Sequence, residues 1–144
     1  MEIKKIKFKD EPAGTALDLW YEVKENGHLV EYQAKREERV SDIFESKIGS
    51  LKRFFAGLVG SGTIYPGEIK LHEKDVYSFS FFASFSGGVF EVKTQKMTLS
   101  EFKNGERIPT REGELIREIL DLAESYANGE NGEAKLFDLR QNHG

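Results

Sequence analysis

Cysteine is absent from the 144 residues, so the chain has no disulfide, cysteine-ligated zinc, iron–sulfur cluster or thiol nucleophile. A reducing compartment fits that composition, and the cytoplasm is the expected location. Long apolar runs are lacking too. The longest, residues 54–59 and 79–85, are broken by glycine or serine and fall far short of the roughly 20 residues that span a bilayer. No membrane partner is expected. Residues 1–9 carry Lys4, Lys5, Lys7 and Lys9 where a signal peptide needs continuous apolar sequence, so the start reads as native. Histidine is scarce: His28, His72 and His143 form no pair at metal-ligand spacing, and neither a metal nor a cofactor is expected.

An excess of positive charge is missing as well. With 21 Lys and Arg against 25 Asp and Glu the formal net charge is −4, which argues against nucleic-acid binding through neutralised phosphates. What is present is 38% hydrophobic and 32% charged residues, too apolar for a disordered chain. One domain spanning residues 1–144 is expected, large enough to hide roughly 70% of its unfolded surface. Phe137 and Leu139 flank Asp138, and the tail from about residue 130 is open between a last short strand and a mobile end.

Periodicity predicts an α+β fold: an antiparallel sheet of five to six strands with two amphipathic helices packed on it. Ile6 and Phe8 alternate with Lys5, Lys7 and Lys9, as on an edge strand guarded by lysine. Leu17 to Val23 alternate in the same way, and Asn26-Gly27 is the favoured dipeptide of a type I′ hairpin turn. That turn pairs Val23 with Val30, Tyr21 with Tyr32 and Leu19 with Ala34, leaving Glu22 opposite Glu31 and Trp20 opposite Gln33. After Ser41 as N-cap, Ile43, Phe44, Ile48, Leu51, Phe55 and Leu58 form one helical stripe. Gly57, Gly60 and Gly62 end it.

A second run of strands follows. Glu73-Lys74-Asp75 turns the chain, setting Leu71 opposite Tyr77 and Ile69 opposite Phe79. Gly87-Gly88 is expected to close another hairpin, pairing Phe85 with Phe90, Ala83 with Val92 and Phe82 with Lys93. Residues 98–109 read as a polar loop. Thr110 then caps a helix carrying Leu115, Ile116, Ile119, Leu120, Ala123 and Tyr126, stopped near Gly129. The order hairpin, helix, three-strand meander, helix is similar to the longin or profilin-like arrangement, an analogy of fold that carries no function.

No catalytic motif stands up. Val59-Gly60-Ser61-Gly62 follows a helix and lacks the spacing of a nucleophile elbow. Gly57 and Gly62 have Walker spacing, but Thr63-Ile64 replaces the required Lys and Ser/Thr. His72, Glu73 and Asp75 could collect a divalent ion, although charged hairpin loops are common. Glu22 and Glu31, opposed across a strand pair, could share a proton or meet a basic partner, or splay into water beside Lys24 or Lys35. Phe82 stands among Ser78, Ser80, Ser84 and Ser86, a face that reads as covered by a helix or, uncovered, as a binding surface.

The expected function is therefore a non-enzymatic protein-binding module whose binding residues are Trp20, Glu22, Glu31 and Phe82. Its partner would be a protein with a basic surface, a toxin being one example. The alternatives are a carboxylate- or metal-assisted hydrolase and a small-ligand sensor.

Overall fold

Asn26 and Gly27 both adopt positive φ, 50° and 78°, the geometry that lets a two-residue turn follow the twist of its strands. The register they impose is the expected one from Glu25 opposite His28 through Leu19 opposite Ala34. The computed structural model describes residues 1–60 and 62–129. The tail strand considered at Phe137 and Leu139, and His143, lie outside the described residues.

A first meander comprises β1 (Glu2–Glu11), β2 (Gly14–Glu25) and β3 (His28–Lys35), followed by α1 (Asp42–Val59). A second comprises β4 (Thr63–Glu73), β5 (Val76–Phe85) and β6 (Gly88–Lys93). The short β7 (Met97–Thr98) pairs with β5, and a hairpin of β8 (Ser100–Lys103) and β9 (Glu106–Pro109) precedes α2 (Arg111–Ala127). The six long strands lie in the order β3-β2-β1-β4-β5-β6, all neighbours antiparallel.

The lysine-rich β1 is thus central rather than an edge. It joins the two meanders by pairing Ile6 with Leu19 on one side and Ile69 on the other. The alternation was read correctly, but lysines facing out of a sheet look the same on a central strand with one open face as on an edge.

The turn after β5 also differs from expectation. It is Ser86-Gly87, so Phe85 lies opposite Gly88, Ala83 opposite Phe90, Phe81 opposite Val92 and Phe82 opposite Glu91. A slip of two residues keeps every side chain on its face, so hydrophobic alternation could not choose between the registers. Phe85 and Phe90 remain diagonal neighbours, ring centroids 5.8 Å apart. The polar loop expected at 98–109 contains the hairpin β8–β9, closed by Asn104-Gly105 with φ of 52° and 78°. It repeats the signal already read at Asn26-Gly27.

Both helices begin where their caps predict: Phe44 N–H donates to Ser41 Oγ, and Gly113 N–H to Thr110 Oγ1. Phe44, Ile48, Leu51 and Phe55 of α1 are buried, whereas Ile43 and Leu58, expected on the same stripe, are exposed. Phe55 stacks on Phe81 at 4.4 Å and meets Phe79 edge-on at 5.3 Å. From α2, Ile116, Ile119, Ala123 and Tyr126 complete the same core. A Cβ at Gly113 would lie 2.1 Å from the Leu99 carbonyl oxygen, so only glycine lets the first turn of α2 approach so closely.

Two polar ties fix α2. Asp75, at the β4–β5 turn, has no exposed side-chain surface and receives Arg117 Nε and Nη2 at 2.9 and 2.8 Å. Near the other end of α2 the Tyr126 hydroxyl donates to the Glu38 carbonyl and accepts from Leu17 N–H at 3.3 Å, and the Arg36 guanidinium lies 4.8 Å from the Tyr126 ring.

Three measurements test this packing. Phe81→Ala should cost about 3–5 kcal/mol in denaturant unfolding; a loss below about 1 kcal/mol would show that Phe81 is not a core anchor. Arg117→Met leaves a buried carboxylate without its counter-charge and should cost about 3–5 kcal/mol. Asp75→Asn should cost clearly less, because Arg117 is 37% exposed and can turn to water; equal losses would contradict the geometry. Finally, burial raises the pKa of both Tyr77 and Tyr126 above the ordinary 10.0. The folded state therefore prefers the neutral phenols. Their contribution is complete below pH 10.0 and is lost as pH rises through their folded values. A phenolate absorbance titration should show two tyrosines ionising late, as unfolding sets in.

Candidate functional site

With α1 and α2 on one side of the sheet, the other side carries no covering element among the described residues. The helix cover expected over Phe82 is not there: Phe82 is 41% exposed, because the helices pack on the opposite face, where Phe79 and Phe81 point. Across the open face the strand pairings align side chains in rows. One row runs Lys35, Asp18, Lys7, Glu68, Ser80, Lys93; the next runs Gln33, Trp20, Lys5, Lys70, Ser78; a third runs Glu31, Glu22, Glu2.

Trp20 is half-buried between Gln33 and Lys5. The Lys5 ammonium stands 4.5 Å above its ring and 3.5 Å from Glu68, a cation–π contact tethered by a carboxylate. The third row sets Glu22 opposite Glu31, as expected, and opposite Glu2 on its other side. Three carboxylates therefore stand in line, an arrangement that costs stability unless it is compensated.

Lys4 supplies the compensation. It is the extra residue in a bulge of β1 between Ile3 and Lys5, and its ammonium lies 2.5 Å from Glu2 and 3.1 Å from Glu22. Hydrogen bonds to Glu2 and then Glu22 raise its pKa. The residues expected to serve this purpose were Lys24 and Lys35. Lys35 instead stands opposite Asp18, whose carboxylate meets Lys9 at 2.9 Å. The Lys4 ammonium between Glu2 and Glu22 makes this corner an ion cluster.

Phe82 belongs to the same face but not the same place. It lies three strands and roughly four residues away from Trp20, on the order of 20 Å from strand spacing and rise, opposite Tyr65, which is 44% exposed, and Glu91. The structure therefore brings Trp20, Glu22 and Glu31 together and leaves Phe82 apart. Glu2, Lys4, Lys5 and Tyr65 complete the two patches. They were missed because Glu2, Lys4 and Lys5 meet the hairpin through the β1–β2 pairing and its bulge, and Tyr65 meets Phe82 through β4–β5, none of which a local motif reports.

The histidine cluster does not assemble. His72 Nε2 and Ser78 Oγ are 2.8 Å apart on the open face, while Asp75 turns to Arg117 on the other. Burial first, then Lys96 and Lys70, lowers the His72 pKa, which favours the neutral ring. Among the described residues no three His, Asp or Glu side chains could hold a metal ion. Gly57 lies inside α1 and Gly60 is its left-handed C-cap, so the helix precedes the glycines instead of presenting its N-terminus to a phosphate. Ser61 lies outside the described residues. No helix among them is long and apolar enough to cross a membrane.

Comparison with protein-family models, with curated proteins and with solved structures finds no match for the chain.

Proposed function

We propose that this chain is a non-enzymatic binding domain that holds a protein with a basic contact surface at the Trp20, Glu22 and Glu31 corner of its open sheet face. The observation that carries this reading is the line Glu2, Glu22, Glu31 beside Trp20, three carboxylates against the single Lys4 cluster charge. An arginine or lysine from a partner can displace Lys5 from the Trp20 ring and pair with Glu31, which is exposed. Burial of Trp20 supplies most of the affinity, and the carboxylates steer the encounter. Phe82 and Tyr65 form a second apolar contact for a partner wide enough to span the face. A cytoplasmic protein that neutralises a basic toxin would have this surface. The likeness to a longin or profilin-like order adds nothing to the reading, because fold does not carry function.

The test is capture of partners from the native host by the wild-type chain, Trp20→Ala and the Glu22→Gln/Glu31→Gln double variant, each first shown to be folded. Wild type should retain a specific basic protein that both variants lose. Association with that protein should slow as salt rises while dissociation changes less. Equal capture by all three proteins would remove this corner from the interface.

A further inference from the structure

On the opposite, helix-bearing face, α2 ends at Ala127 before it reaches the outer part of the β2–β3 hairpin. The space beyond its end is a groove of about 580 Å³ lined by Tyr21, Val23, Glu25, Tyr32, Glu124 and Asn128, with Met1 as the remaining wall. That volume lies within the range of small-ligand sites. One side is flat and aromatic: the Tyr21 and Tyr32 rings stack with centroids 5.5 Å apart and planes 17° apart.

The side-chain polar groups facing this wall are one-sided. The Tyr32 hydroxyl donates to Glu25 Oε1 at 2.6 Å, which fixes that carboxylate beside the rings. Glu124 sits in the last turn of α2, and it makes no ion pair among the described residues; the helix end itself is already met by Arg36, whose guanidinium donates to the Tyr126 carbonyl. The Met1 ammonium forms none with either carboxylate. Asn128 is only 9% exposed, and its Oδ1 has no donor, an omission that costs stability in a buried acceptor. Two carboxylates and an orphan amide oxygen ask for a donor that carries positive charge.

We infer that this groove binds an organic cation, an ammonium or guanidinium group on an apolar stem. The cation lies between Glu25 and Glu124, donates to Asn128 Oδ1, and lays its stem against the Tyr21 and Tyr32 rings. The site is separate from the Trp20 corner. Such a group can come from a free amine or from a lysine or arginine side chain of a peptide.

The test is an NMR titration of the full chain, following backbone amides. The probes are phenethylammonium, its neutral counterpart 2-phenylethanol, and a blocked alanine-lysine-alanine peptide beside its norleucine analogue. Phenethylammonium should shift Tyr32, Glu124 and Asn128, and 2-phenylethanol should bind at least about tenfold more weakly, a difference of about 1.4 kcal/mol. Glu124→Gln should weaken the amine by a similar factor while Trp20→Ala leaves it unchanged. If Glu124→Gln does not fold, Glu25→Gln serves the same comparison. Tighter binding of the lysine peptide than of both the amine and the norleucine peptide assigns the groove to a protein side chain, and preference for phenethylammonium assigns it to free amines. No shift at millimolar amine, equal binding of amine and alcohol, or amine binding indifferent to loss of the carboxylate charge overturns the inference.

Discussion

The Asp75–Arg117 pair decides which way the domain faces. A carboxylate with no exposed side-chain surface is expensive to bury unless it is matched in charge and hydrogen-bonded on both oxygens, and the two parallel bonds from Arg117 do both. Asp75 can reach this position because it takes the left-handed conformation, φ 62°, at the end of a two-residue turn, which aspartate tolerates better than most residues. Its carbonyl accepts Leu99 N–H at 2.8 Å, and the Leu99 carbonyl in turn receives Thr110 N–H at 3.0 Å. The turn, the strand leaving β7 and the start of α2 are thereby one hydrogen-bonded unit. Tyr126 repeats the arrangement at the far end of the helix, against β2 and the segment after β3. With α2 held at two points on one face and α1 stacked on Phe81 beside it, no helix among the described residues remains for the other face.

An uncovered sheet face has to be made tolerable to water, and the row Lys35, Asp18, Lys7, Glu68, Ser80, Lys93 does so. Each exposed pair in it contributes little to stability, about 0–1 kcal/mol. The value of the row lies in what it discourages: alternating charge in the centre of a sheet resists stacking on another copy of itself, and Glu91 and Lys93 on the β6 edge resist strand-to-strand pairing. Against that background the line Glu2, Glu22, Glu31 is an exception, since like charges replace alternation at one corner only. It also adjoins the single tryptophan.

Much of this fold was legible because its turns are local. Asn26-Gly27 set the cross-strand pairs read between Glu25–His28 and Leu19–Ala34, and the loop read at Glu73-Lys74-Asp75, a two-residue turn at Lys74-Asp75 with a bulge at His72, still placed Leu71 and Ile69 opposite the expected partners. Ser41 and Thr110 marked both helix starts. Two misreadings of the strands share one physical origin, which is that period-two alternation is blind to anything preserving it. Moving β1 from the edge to the centre keeps Lys5, Lys7 and Lys9 outward, and sliding β6 by two residues keeps Phe90 and Val92 inward. The Asp75–Arg117 tie depends on a contact between distant segments, and the Lys4 bulge with the Glu2–Glu22 pairing on a strand partner for β1; no local propensity encodes them. Trp20, Glu22 and Glu31 were recognisable together because one hairpin carries all three. Phe82 was grouped with them by chemistry alone, and chemistry does not set distance.

The same hairpin joins both surfaces. Along β2 the side chains alternate, so Trp20 and Glu22 face the open side while Tyr21 and Val23 face the groove beside Asn128. Nothing in composition distinguishes the two sets strongly, since each offers an aromatic ring next to carboxylates. A slip of one residue would exchange them and place Trp20 against the end of α2. Two things prevent the slip: it would carry the buried Leu17 and Leu19 to the open face, and the turn needs two consecutive residues at positive φ, which the Asn26-Gly27 position supplies within this hairpin. The placement of side chains on either face is thus anchored at a turn that touches neither Trp20 nor Asn128. It acts by fixing parity: each contact on one side of β2 guarantees its neighbour on the other.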